Sequence, residues 1–134
     1  CGDFFHASTG QSPAVLDLVE QWRASHPEVR VSLITGNHDR GRALPPLRCG
    51  IELAGPTMWR DPFHLIHDPA EAIPGGLTIS GHLHPLVALS GSSGRALRAP
   101  CFWWQANRSC LVLPGFGSFT AGVAFNRIQS TPCT

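Results

Sequence analysis

The sequence predicts an α/β fold, and three observations predict it. One stretch near the start has the spacing of an amphipathic helix, a β-branched run follows it, and the second half of the chain has almost no helical period. A strand ending at Asp3, the helix and the β-branched strand together predict a parallel pair with a right-handed crossover. At 134 residues the chain fits one domain, residues 1–134, with a single core.

The helix is predicted to run from a cap at Ser12 to about Ser25. Pro13 is suitable for its first turn, because a proline there gives up no hydrogen bond. Apolar residues then recur at helical spacing at Val15, Leu16, Val19 and Trp22. The helix is expected to stop at His26, since the residue before a proline disfavours the helical conformation.

The strands are predicted from short apolar runs bounded by turn residues. The clearest is VRVSLIT, Val29 to Thr35, which ends at Gly36. Further candidates are Gly50 to Leu53, Phe63 to Ile66, Gly76 to Ser80, Val87 to Leu89, Ala96 to Trp104, Ser109 to Leu113 and Val123 to Phe125. We expect the second half to form an antiparallel sheet with a tight turn near Asn107 and Arg108.

Composition narrows the function classes without naming one. No apolar run approaches the roughly 20 residues of a membrane-spanning helix. The five cysteines are widely spaced and contain no C-x-x-C pair, which predicts neither a disulfide framework nor a structural zinc site and favours a reducing, cytoplasmic location. All ten basic residues are Arg and Tyr is absent, which indicates the coding bias of a GC-rich bacterial genome. A net charge of +1 does not by itself predict a polyanionic partner.

Polar side chains follow several predicted strands at the point where each strand ends. The motif GNHD (Gly36 to Asp39) follows the strand at Val29 to Thr35, His67 closes the strand from Phe63, and Asp3 closes the first strand. Carboxyl ends of strands are where ligands bind in open α/β sheets. Asp, Asn and His are also the ligands of divalent metals such as Mn, Fe and Zn.

A second histidine motif, GHLHP, follows the strand at Gly76 to Ser80. On an extended backbone residues two apart point to the same face, so His82 and His84 are expected to reach one site. Each motif alone also has a simpler explanation. GNHD fits a polar turn, GHLHP an exposed strand end, and Asp3 a cap or turn.

The order of the motifs carries a resemblance. GD, GNHD, a lone His after a strand, and GHLH, in that order, resemble the calcineurin-like metallophosphoesterases. The segments LRAPCFWW (Leu97 to Trp104), LPGFGSFTAG (Leu113 to Gly122) and GHLHP resemble more narrowly the bacterial DNA-ligase-associated metallophosphoesterases, proposed DNA-repair endonucleases. The resemblance implies an α/β/β/α sandwich of two mixed sheets flanked by helices.

The resemblance also implies a role for each motif residue. Asp3 is expected to bridge two divalent metal ions, with Mn expected and Fe or Zn as alternatives. The remaining metal ligands are expected to be Asn37, His67 and His82 for the second ion and His84 for the first. His38 is expected to be the general acid, or the cation that stabilises the transition state, oriented by Asp39. The implied substrate is DNA or another phosphodiester, with a functional association with a DNA ligase and a helicase and no membrane partner.

One family motif has no counterpart in the sequence. The family's Asp-x-His, which supplies two ligands to the first metal, occurs nowhere in the chain. We therefore expect the sequence to be incomplete at its N-terminus, and this chain to bind fewer than two ions and to be weakly active or inactive.

The sequence leaves alternative roles for several further residues and alternative functions for the chain. His6 and Arg40 are candidate substrate-binding residues, with a surface position as the alternative. Phe102, Trp103 and Trp104 could stack on unpaired bases, although packing in a hairpin core is favoured. A phosphomonoesterase or small-molecule phosphodiesterase with the same metals is an alternative function, and a non-catalytic scaffold of the same fold is another.

Overall fold

The computed structural model describes residues 1–6, 10–39, 41–90, 96–117 and 121–125. Within these ranges one α-helix, α1, spans Pro13–Ser25. Ser12 caps it by accepting a hydrogen bond from the Val15 amide, and the helix ends at His26, whose amide donates to the Arg23 carbonyl. The predicted helix is confirmed at both ends.

The described strands form three sheets. The strands are β1 (Ser32–Ile34), β2 (Glu52–Gly55), β3 (Thr57–Arg60), β4 (Phe63–Ile66), β5 (Leu77–Ser80), β6 (Pro85–Ser90), β7 (Ala96–Pro100), β8 (Trp103–Gln105), β9 (Cys110–Val112) and β10 (Val123–Ala124). β1 and β2 form a parallel pair, β3-β4-β5-β9-β8 form a five-stranded sheet, and β10-β6-β7 form a three-stranded sheet. The two larger sheets each contain parallel and antiparallel pairs, which confirms the predicted α/β class with two mixed sheets.

Two expectations about the strands were wrong. The second half is not purely antiparallel, because β5 pairs in parallel with both β4 and β9. The run from Ala96 to Trp104 is two strands in different sheets, β7 and β8. Ahead of α1, residues 4–6 form a bend, and Gly2 and Asp3 both have φ values in the left-handed region, at 81° and 55°.

Other boundaries differ less. β1 begins three residues later than expected, β2 is shifted toward Gly55, and β3 was not predicted. The expected turn near Asn107 is a short 3₁₀ turn, Ala106–Arg108, followed by Ser109 in the left-handed conformation.

The middle of the five-stranded sheet is buried on one face. Alternate residues of its three central strands lie there: His64 and Ile66 on β4, Thr78 and Ser80 on β5, and Cys110 and Val112 on β9. This packing fixes the carboxyl ends of β4 and β5 side by side, and the Gly81 amide extends their pairing by donating to the His67 carbonyl at 3.0 Å. A second buried cluster, Phe5, Leu16 and Cys49, anchors α1.

The structure also shows the state of the cysteines and tests for membrane-spanning helices. The four cysteines in the described part of the chain, Cys1, Cys49, Cys101 and Cys110, are free thiols. Burial raises the pKa of the Cys49 thiol. Among the described residues, no helix has the length and apolar character needed to span a membrane.

Candidate metal centre

Three of the predicted site residues converge on one nitrogen atom of a fourth, Nε2 of His67. The Asn37 Oδ1 atom lies 2.9 Å from it, the His82 Nδ1 atom 3.1 Å and the Asp3 Oδ2 atom 3.4 Å. These side chains come from three separate loops, which follow β1, β4 and β5, and from the bend at residues 1–6. The fold therefore brings together residues that are 15 to 79 positions apart in the chain.

The His67 ring is held in one orientation. It is buried, and its Nδ1 atom lies 2.8 Å from the carbonyl oxygen of Cys1, which can only accept a hydrogen bond. Nδ1 therefore carries a hydrogen, and in the neutral ring Nε2 presents its lone pair. Desolvation by burial lowers the pKa of His67, opposed by the nearby Asp3 and Asp39 carboxylates, and so favours that neutral ring.

This arrangement fits a metal ion. A lone pair on Nε2 faces the oxygens of Asn37 and Asp3, and three electron-rich atoms this close together form a donor set suited to a cation. Donors bound at about 2.1 Å to one ion lie about 3.0 to 3.4 Å apart, which matches the distances around Nε2. A ligating histidine commonly donates its other ring hydrogen to a backbone carbonyl, as His67 does. Asp3, His67 and His82 form one of two groups of potential metal ligands among the described residues.

The second group is Asp3, His6 and His38. Its potential ligand atoms lie within 4.8 Å of one another, and the His6 and His38 rings contact each other at an interplanar angle of 35° with their centroids 3.9 Å apart. His6 is exposed and His38 half-buried, so this group forms the open side of the site. Asp3 belongs to both groups, which is the position expected of a residue that contacts two ions.

Asp3 is fixed by hydrogen bonds at both its side chain and its backbone. Its Oδ1 atom accepts from the His38 amide at 2.9 Å, which leaves Oδ2 directed toward His67. Its own amide donates to the Asp39 carboxylate.

Asp39 has different partners from those expected. The family resemblance implies that it orients the His38 ring. In the structure its buried carboxylate accepts from the backbone amides of Asp3, Phe4 and Gly36, the latter two at 3.0 and 2.8 Å. Because backbone amides are donors, they match a carboxylate that carries no proton. Asp39 therefore joins the bend at residues 1–6 to the loop after β1.

His84 does not join His82 at the cluster. Both residues have φ values in the left-handed region, 67° for His82 and 45° for His84, so the backbone between them is bent and the two-residue alternation of an extended strand does not apply. The His84 Nδ1 atom donates to the carbonyl of Ala121 at 2.9 Å. The expectation that one extended segment directs both rings to the same point was wrong.

Sequence reasoning missed two glycines that shape the cluster. A Cβ atom at Gly36 would overlap the Asp3 carboxylate and lie 2.8 Å from His67 Cε1, and one at Gly2 would overlap the His67 ring. The signal was present in both motifs, since each glycine directly precedes a candidate ligand.

An open cavity of about 270 Å³ lies over the cluster. Its lining residues are Thr35, Gly36, Asn37, Asp39, Pro56, His67, Asp68, Glu71 and His82. Asp68 caps the short turn Pro69–Glu71 by accepting from the Ala70 amide, so its position serves that turn. Arg40, the remaining candidate, lies outside the described residues.

Comparison with solved structures finds a similar protein. The chain is similar to the nuclease MPE from Pseudomonas putida, whose crystal structure is known. The two sequences are 39% identical, and the two structures superpose with a TM-score of 0.79. The match covers 92% of this chain and 58% of that nuclease, so this chain spans less than two thirds of its length. Comparisons with family models and with curated proteins find no match.

Proposed function

We propose that this chain is a metal-dependent phosphodiesterase that hydrolyses phosphodiester bonds in DNA, and that it is of the calcineurin-like metallophosphoesterase type. The observation that carries the proposal is the convergence of Asp3, Asn37 and His82 on the Nε2 atom of His67. Similarity at 39% identity to a protein described as a nuclease supports the same reaction class. The narrower likeness to ligase-associated endonucleases extends the proposal to DNA repair, in the cytoplasm and alongside a DNA ligase and a helicase.

The proposed ligands divide between two divalent ions, with Mn as the expected metal and Fe or Zn as alternatives. Asp3, Asn37, His67 and His82 would hold one ion, and Asp3 with His84 would contribute to the other. When bound, such ions acidify a coordinated water and neutralise the charge of the phosphate. Asn37 is an amide and adds no negative charge, which keeps the ions electrophilic.

The residues of the open side have roles of their own in this proposal. The His38 ring stacks against His6 at the exposed face of Asp3, where it can reach a phosphodiester from the solvent side. It would donate a proton to the leaving oxygen or stabilise the charge that develops on phosphorus-bound oxygens. Asp39 would act as a positioning residue, since its carboxylate holds the amides of Asp3 and Gly36.

Comparing substrates with matched variants tests the proposal. We expect the chain to hydrolyse bis-p-nitrophenyl phosphate and a DNA oligonucleotide at a low rate when Mn²⁺ is added, because the family's Asp-x-His motif is absent from it, and EDTA to abolish both activities. Asn37→Ala should lose hydrolysis of both, whereas His26→Ala, at the end of α1, should retain it. A preference for p-nitrophenyl phosphate would instead indicate a phosphomonoesterase. Metal binding without hydrolysis of any of these esters would indicate a scaffold.

A further inference from the structure

Two phenylalanines in the second half of the chain have exposed side chains. The side chain of Phe102 is 66% exposed and that of Phe116 fully exposed. Neither ring stacks on another aromatic ring among the described residues, whereas the neighbouring Trp103 stacks on Phe125 with centroids 3.7 Å apart. Packing therefore accounts for Trp103 and leaves the two phenylalanine rings facing solvent.

Backbone contacts place Phe102 close to the loop that carries His82 and His84. The Cys101 amide donates to the carbonyl of Pro85 at 3.0 Å, and Pro85 directly follows His84. On its other side Phe102 precedes Trp103, which pairs with Val112 of β9. Val112 in turn pairs with Ser80, two residues before His82. Phe102 thus lies at the same edge of the sheet as the metal cluster.

Phe116 lies in the loop that leaves β9 at this edge. The Leu113 amide donates to the Ser80 carbonyl at 2.8 Å, and the Ala121 carbonyl accepts from the His84 ring at 2.9 Å. Leu113 and Ala121, which are described residues on either side of Phe116, are therefore held by Ser80 and by the candidate ligand His84.

The charge of this half of the chain favours an anionic partner. Residues 72–134 contain four Arg and no Asp or Glu, while all nine acidic residues lie before them. Arg98 of this set is exposed on β7, two residues before Pro100, which pairs with Leu86 of β6. Exposed aromatic side chains in a stretch of sequence whose charged residues are all Arg have the composition of proteins that bind nucleic-acid strands through both bases and phosphates.

We propose that Phe102 and Phe116 form a stacking platform for unpaired nucleobases of the strand whose phosphodiester is bound at the metal centre. The inference rests on the proposed function and adds the residues that recognise the nucleoside part of the substrate. Every base offers a π-face, so the platform binds bases without sequence preference. Loss of one stacked base should weaken binding about 5- to 140-fold.

Equilibrium binding of a fluorescein-labelled oligothymidylate in EDTA tests the platform without any cleavage. We expect Phe102→Ala and Phe116→Ala each to weaken binding within that range, and Phe102→Trp to restore it. Phe63→Ala is the matched control. Phe63 is a partly exposed phenylalanine at the first residue of β4, whereas His67 follows the other end of that strand. A strand of the same length with abasic residues should bind all variants as weakly as it binds the parent chain. Unchanged melting temperatures establish that the variants are folded.

Two results would overturn the inference. One is an affinity of Phe102→Ala and Phe116→Ala for the oligothymidylate equal to that of the parent chain. The other is a loss of affinity in these variants that is as large for the abasic strand as for the oligothymidylate. That result would indicate a general effect of the substitutions on the surface. Mn²⁺-dependent cleavage with unchanged binding by both variants would leave the proposed function standing and refute the platform. If binding depended on Phe102 and Phe116 but the chain cleaved no substrate, the platform would stand and the proposed function would be refuted.

Discussion

The buried ring of His67 donates its Nδ1 hydrogen to the carbonyl oxygen of Cys1, 2.8 Å away. This one hydrogen bond determines which ring nitrogen presents a lone pair, and it directs Nε2 toward Asn37, Asp3 and His82. The candidate metal centre is thus organised by the backbone of the bend at residues 1–6 as well as by the strand ends of the sheet.

Replacing Asn37 by aspartate should separate metal binding from turnover. The added carboxylate charge should hold Mn²⁺ at least as tightly, while making the site less electrophilic. We expect kcat for bis-p-nitrophenyl phosphate to fall by about 10-fold or more with metal affinity retained. Calorimetric Mn²⁺ titration beside steady-state kinetics measures both quantities. Weaker metal binding with unchanged kcat would contradict the assignment of Asn37 as a ligand.

Removing the Asp39 carboxylate should destabilise the protein and loosen the metal centre together. The three amides that donate to Asp39 would lose a charged acceptor, and such hydrogen bonds contribute about 1.5 to 3 kcal/mol each. We expect Asp39→Asn to lower the free energy of unfolding by about 2 to 4 kcal/mol, measured by urea denaturation. We also expect about a 10- to 100-fold loss of Mn²⁺ affinity, as for other residues that orient ligands.

The control for this prediction is Asp61→Asn, in the exposed turn between β3 and β4. It should leave the urea midpoint and metal affinity unchanged. If Asp39→Asn behaved in the same way, the carboxylate would have no positioning role.

A methyl group at Gly36 should disrupt the cluster. A Cβ atom there would overlap the Asp3 carboxylate and press on His67 Cε1. We expect Gly36→Ala to lower Mn²⁺ affinity by about 10-fold or more. Gly10→Ala is the matched control, since nothing lies within 4 Å of the added carbon. Equal Mn²⁺ affinities for the two variants would show that Asp3 and His67 do not need their close approach to the backbone.

Replacing His84 should affect metal binding less than replacing His67. The His84 Nδ1 atom is engaged by the Ala121 carbonyl, and His84 is absent from both groups of potential ligands among the described residues. We expect His84→Ala to retain an ion at the His67 cluster and to lose hydrolysis of bis-p-nitrophenyl phosphate. Loss of all bound Mn²⁺ in His84→Ala, measured by elemental analysis, would contradict this division of ligands.

Much of the site was predictable because its residues are next to strong strand signals. The helix from Pro13 and the strand from Phe63 to Ile66 match their predicted bounds, since local periodicity and turn residues define both. GNHD and His67 follow strands β1 and β4 at their carboxyl ends, and the chain places them beside one another.

The remaining differences have physical causes that a single sequence does not encode locally. A run of apolar residues indicates burial but not which strand will pair with it, so the parallel pairing of β5 with β4 and β9 was missed. The left-handed φ values of His82 and His84 are rare for residues with side chains, and they separated two rings that alternation would have kept together. Two of the three backbone amides that donate to Asp39 are 35 and 36 positions away, which no motif marks.

The most direct test of the metal centre is the Mn content of the parent chain and of His67→Ala, measured by plasma mass spectrometry after metal loading and gel filtration. We predict that the parent chain retains bound Mn and that His67→Ala retains none at the same protein concentration, while His26→Ala behaves like the parent. Undetectable Mn in the parent chain, or equal Mn in His67→Ala, would contradict the assignment of this cluster as a metal site.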